Sequence, residues 1–132
     1  MATTTAKITI TSTDLIDSQA LNLAATATLT QEGTSTGIVN TTGLARKVLT
    51  DTNATTIFDA ADYGDGNHKL YIRNLETDPA HYFIITINNE IVGRIYAGDW
   101  AFIPWRAAHD DNDIKLTAEA ASQSVEYMLF YQ

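Results

Sequence analysis

Hydrophobic and polar positions alternate with a period of two through most of this chain, the signature of strands with one buried face. Lys7-Ile8-Thr9-Ile10-Thr11 is the clearest early example, and Leu21-Asn22-Leu23 and Ala27-Thr28-Leu29-Thr30 repeat the pattern. Between them, Ser12 or Thr13 is placed to cap a single helical turn over Ser12 to Asp17. A turn-rich stretch runs from Gln31 to Gly37, and Arg46 to Thr50 and Thr55 to Asp59 read as shorter strands. The second half alternates more strongly. Lys69 to Asn74, Tyr82 to Asn88, Glu90 to Tyr96, Trp100 to Ile103, Asp113 to Ala118 and Val125 to Tyr131 all read as strands. Turns are expected at Tyr63–Asn67, Asp78-Pro79, Asn88-Asn89, Gly98-Asp99 and His109–Asp113, where Gly, Asn, Asp and Pro supply turn geometry. A helical period is never sustained beyond about two turns; Ala118 to Gln123 comes nearest. Short strands at this spacing predict an all-β, antiparallel β-sandwich of jelly-roll-like type.

Composition divides the chain unevenly. All twelve aromatic residues lie at or after Phe58, whereas the first 56 residues are rich in Thr and Ala. The 132 residues are therefore read as a single β domain over 1–132 with an aromatic-rich core in 55–132. Aromatics carry much of a core's burial. Residues 1–30, which have none, are expected to serve as an intersubunit arm or as edge strands, in a dimer or a trimer.

Charge and missing residue types narrow the chemistry. A net charge of −8 opposes a nucleic-acid or anionic-membrane partner, both of which demand a cationic face. The absence of cysteine removes thiolate nucleophiles and zinc–sulfur sites. Serines at 12, 18, 35, 122 and 124 have no neighbouring histidine and no nucleophile elbow, and no glycine-rich phosphate loop is followed by lysine. Acidic loops around Asp59, Asp62 and Asp65, and around Asp110, Asp111 and Asp113, lack EF-hand spacing and read as solvated turns. No catalytic, cofactor or metal residue is assigned, and the chain is expected not to be an enzyme.

Gly98 and Pro104, followed by His109, resemble the second motif of the cupins, a jelly-roll superfamily. The first cupin motif has no counterpart, because His81 stands alone and Phe83 occupies the place of a second histidine. A lone histidine cannot hold a catalytic metal, which takes about three protein ligands. That likeness bears on architecture only. A broader one rests on Gly43-Leu44-Ala45-Arg46-Lys47, on Lys69-Leu70-Tyr71-Ile72-Arg73-Asn74, and on the run from Gly93 to Trp105. With these segments the chain resembles small virion structural proteins of tailed bacteriophages, those infecting marine cyanobacteria in particular. The resemblance implies a capsid decoration, or cement, protein that is made in the host cytoplasm and resides on the head surface. Its implied partners are the major capsid protein and further copies of itself. A tail or fibre-base component and a carbohydrate-binding β-sandwich are the alternatives. Trp100, Trp105 and Arg106 are the candidate contact residues, since tryptophan and arginine are enriched at energetically important interface positions.

Overall fold

A computed structural model describes residues 4–16, 19–29, 38, 40–108 and 111–131. The turn expected over Gln31–Gly37, together with His109 and Asp110, lies outside the described residues. All described regular structure is β except one short 3-10 turn, η1 (Ala60–Asp62). Contacts group the chain into two compact units, Met1–Val39 and Asn40–Gln132.

The first unit is a two-stranded antiparallel ribbon of β1 (Thr5–Ile16) and β2 (Gln19–Thr28). Its register pairs Thr5 with Thr28 and Ser12 with Leu21, then shifts before Ile16 pairs with Gln19. The expected helical turn after Ser12 is thus corrected: Ser12 to Ile16 continue β1 through an irregularity. The capping signal was real but local, because the Leu15 amide donates to Ser12 Oγ at 3.1 Å inside the strand. Alternation puts Ala6, Ile8, Ile10 and Ser12 beside Leu21, Leu23, Ala25 and Ala27 on one face. Thr5, Lys7, Thr9 and Thr11 share the other with Asn22, Ala24, Thr26 and Thr28. At the base of the ribbon Leu29 donates to the Thr4 carbonyl, Ile38 donates to the Leu29 carbonyl, and Leu29 and Ile38 are buried.

The second unit holds β3 (Asn40–Thr41), β4 (Ala45–Leu49), β5 (Thr55–Phe58), β6 (Asn67–Asn74), β7 (Tyr82–Ile87), β8 (Glu90–Tyr96), β9 (Trp100–Arg106), β10 (Ile114–Ala118) and β11 (Gln123–Tyr131). They form two antiparallel sheets. One runs β5-β10-β7-β8; the other runs β11-β6-β9, with β3 and β4 both paired to the outer side of β11. That edge is broken at Gly43, whose φ of +76° turns the chain between β3 and β4. Thr42 bridges the break: its amide donates to the Leu129 carbonyl, and its Oγ1 accepts from the Leu129 amide at 3.0 Å. Only β7 and β8 are joined as a hairpin within one sheet; every other connection from β4 to β11 passes from one sheet to the other.

Between the sheets lies a continuous core drawn from both: Leu49, Leu70, Ile72, Trp105, Val125 and Leu129 from one, Phe58, Phe83, Ile85, Ile95, Ile114 and Leu116 from the other. Strict alternation in β6 explains the selection, with His68, Leu70, Ile72 and Asn74 inward and Lys69, Tyr71 and Arg73 outward. Each large aliphatic side chain so buried contributes about 1.5–3 kcal/mol. The second unit is an all-β sandwich and the first a two-stranded ribbon, and the aromatics belong to the sandwich.

Candidate docking face

Strand β9 places the predicted contact residues. Its inward positions are Ala101, Ile103 and Trp105; its outward ones are Trp100, Phe102, Pro104 and Arg106. Trp105 is therefore core rather than contact, with its indole N–H donating to the Asn112 carbonyl at 2.8 Å. Trp100 is 52% exposed. Arg106 is also exposed but engaged, its Nε and a terminal nitrogen donating to both carboxylate oxygens of Asp65 at 2.8 and 3.1 Å. Such a bidentate pair fixes the loop before β6 more than it offers a free cation.

Register builds a surface around Trp100 that linear sequence does not display. Phe102 lies opposite Tyr71, which lies opposite Met128; Trp100 lies opposite Arg73, which lies opposite Glu126. Phe130 joins them, its ring edge-on to Phe102 at 6.2 Å. Tyr71, Phe102, Met128 and Phe130 are half-buried, and exposed Val48 on β4 extends the apolar area. The outer side of this sheet is thus an aromatic surface crossed by a polar stripe.

That stripe is ordered. Glu126 accepts from Arg46 Nε at 2.8 Å and from the Tyr71 hydroxyl at 3.2 Å. The Arg46 hydrogen bond holds the Glu126 carboxyl below its usual range, with Tyr71 adding to that and burial opposing it. Tyr71 moves the other way, raised by burial and by donating to the Glu126 carboxylate. The pairs of β11 with β4 and β6 are not legible in the sequence, because partners far apart in the chain meet only through sheet order. The signal available was the outward phase of Tyr71, Glu126 and Met128 within their own strands.

The remaining polar candidates have structural roles. Asp59 caps η1 by accepting from the Ala61 amide, and Asp113 accepts from the Ala60 amide, each at 2.9 Å. Glu76 accepts from the Ser124 amide at 2.6 Å and faces His81 Nδ1 at 3.4 Å. His68 is enclosed in the sandwich against Tyr63 and Trp105, with Nε2 3.1 Å from the Gly64 carbonyl. The carbonyl can only accept, so Nε2 carries the proton; Nδ1 is buried with no partner among the described residues. Burial pushes the His68 pKa down from the ordinary histidine value. Of the cupin-like positions, Gly98 makes a turn with φ of +80° and Pro104 lies in β9. Among the described residues no three His, Asp or Glu side chains gather into a metal-binding group.

No protein-family model matches the chain, and no curated protein sequence matches it.

Proposed function

We propose that this chain is a non-enzymatic structural protein of a tailed-bacteriophage virion, a decoration or cement protein that binds the major capsid protein and stabilises the head. The virion assignment comes from the resemblance of its segments to such proteins. The observation that carries the docking role is the outer face of the β11-β6-β9 sheet, where Trp100, Phe102, Tyr71, Met128 and Phe130 form one aromatic surface. Rigid aromatic anchors on a strand framework supply contact area at low entropic cost, which suits a protein whose work is grip. The strand order, β4-β11-β6-β9 facing β5-β10-β7-β8, supports reading the sandwich as a jelly roll, an architecture used by capsid and lectin domains.

Two measurements test the reading. Mass spectrometry of purified virions is expected to find the protein at a copy number matching the capsid lattice; a copy number matching the portal or tail favours the tail or fibre-base role. In co-sedimentation with capsids, Trp100→Ala is expected to weaken binding at least tenfold without changing the fold. Undiminished binding overturns the role given to this face. A carbohydrate-binding sandwich is the second reading, favoured by the exposed Trp100 indole next to Arg73. Glycan-array binding that disappears in Trp100→Ala would establish it instead.

A further inference from the structure

The ribbon of the first unit presents a problem that the sandwich does not. A lone two-stranded ribbon is at best marginally stable in water. This one is long for its kind, at 12 and 10 residues, and leaves Ile8, Ile10 and Leu23 exposed at 38%, 46% and 47%. Among the described residues β1 pairs only with β2, so each strand keeps one unpaired outer edge. Among the described residues, the same element thus carries an apolar face and two open edges. Covering the face alone leaves the edges open, and extending the edges alone leaves the face wet.

We infer that the β1–β2 ribbons of three copies of this chain pair edge to edge into a closed six-stranded antiparallel barrel, with Ala6, Ile8, Ile10, Ser12, Leu21, Leu23, Ala25 and Ala27 inside.

Direction allows it. In a ring with strands running along the symmetry axis, β2 of one copy meets β1 of the next antiparallel, so every neighbour around the barrel is antiparallel. Closure also removes both edges, which a linear array never does. Side-chain size selects three copies. An eight-stranded barrel is just wide enough for ordinary side chains to fill. Six strands enclose less, and the inward rungs here read Ala6–Ala27, Ile8–Ala25, Ile10–Leu23 and Ser12–Leu21, half of them Ala or Ser. Two copies would supply four strands, too few to close around Ile10 and Leu23. Charge permits the approach as well: the two strands carry one lysine and one aspartate, Lys7 and Asp14, while the acidic excess lies elsewhere in the chain. The outward face would be the threonine-rich one, which combines high strand propensity with solubility.

This inference concerns self-association and stands apart from the capsid-binding role, since it is tested on the purified full-length chain without capsids. Sedimentation equilibrium is expected to show three chains per particle. Ile10→Asp, an inward change, is expected to weaken assembly at least 100-fold, while Thr9→Asp, one residue away and outward, leaves it intact. The near-ultraviolet dichroism of Trp105 is expected to be unchanged in both. Should Ile10→Asp fail to fold, hydrogen exchange on the unaltered protein decides: closure is expected to protect successive amides of β1 and β2, inner and outer alike. A monomer, dimer or tetramer, a trimer indifferent to Ile10→Asp, equal damage from Thr9→Asp, or fast exchange at alternate amides would each overturn the barrel.

Discussion

At the scale of single residues, His68 and the two tryptophans show how position in a strand decides what a side chain does. His68 is inward and enclosed, so charging its ring costs solvation that Tyr63, Trp105 and the neighbouring Lys69 do not restore. Its folded pKa lies below 6.5, hence the unfolded chain binds the extra proton more readily. The stability this contributes is fully present above about pH 6.5 and drains away as pH falls through the folded value, at no more than about 1.4 kcal/mol per pH unit. Urea unfolding of the unaltered protein and of His68→Gln between pH 8 and 5 is expected to show a smaller acid loss in the variant. Parallel curves would refute the assignment. The tryptophans, five residues apart on β9, face opposite ways. Trp105→Ala empties a site lined by Phe58, Tyr63 and His68 and is expected to cost about 3–5 kcal/mol in urea unfolding. Trp100→Ala, on the outer face, is expected to change stability by less than about 1 kcal/mol.

At the scale of elements, the turn joining β7 to β8 offers a direct check of local chemistry. Asn88 and Asn89 have φ of 52° and 58°, the left-handed pair that a two-residue hairpin of matching twist requires. Asn88→Gly is expected to be neutral or mildly stabilising. Asn88→Val, which brings a β-branched side chain into that region, is expected to lower stability by about 1–2 kcal/mol in thermal or urea unfolding. This turn was legible in the sequence, as was most of the strand pattern: Glu90 to Tyr96 matches β8, and Lys69 to Asn74 falls inside β6. The failures have physical causes. The alternation from Trp100 to Ile103 stops before Pro104, yet β9 continues to Arg106: among the described residues it pairs only with β6, and as an edge strand it leaves Pro104 needing no amide partner on its open side. In sequence, Ala24 and Ala25 blur the alternation and leave Leu21–Leu23 and Ala27–Thr30 looking separate, whereas β2 runs unbroken from Gln19 to Thr28. Ser12 resembles a helix cap because a serine bonding an amide three residues on looks the same in sequence whether a helix or a strand irregularity follows. The docking face was the least legible part. Tyr71, Met128 and Phe102 are brought together only by the order of strands β11, β6 and β9, and sheet order is not written in any local window.

At the scale of the whole molecule, the uneven composition becomes a division of labour. The described residues of the continuous core run from Leu49 to Leu129, and the aromatics absent from the first 56 residues are concentrated there. No described residue of the first unit, Met1–Val39, belongs to that core. A chain beginning at Asn40 is therefore expected to keep the near-ultraviolet dichroism of Trp105 and a single cooperative unfolding transition, within about 1 kcal/mol of the intact protein. The reciprocal expectation separates the two units: a single copy of the ribbon, with Ile10 and Leu23 uncovered and no aromatic anchor, has too little to bury to remain folded as a monomeric peptide. If the shortened chain lost its tertiary dichroism or unfolded without cooperativity, the ribbon would be part of the sandwich's folding unit, and the split between a rigid body and a separate association element would fall with it.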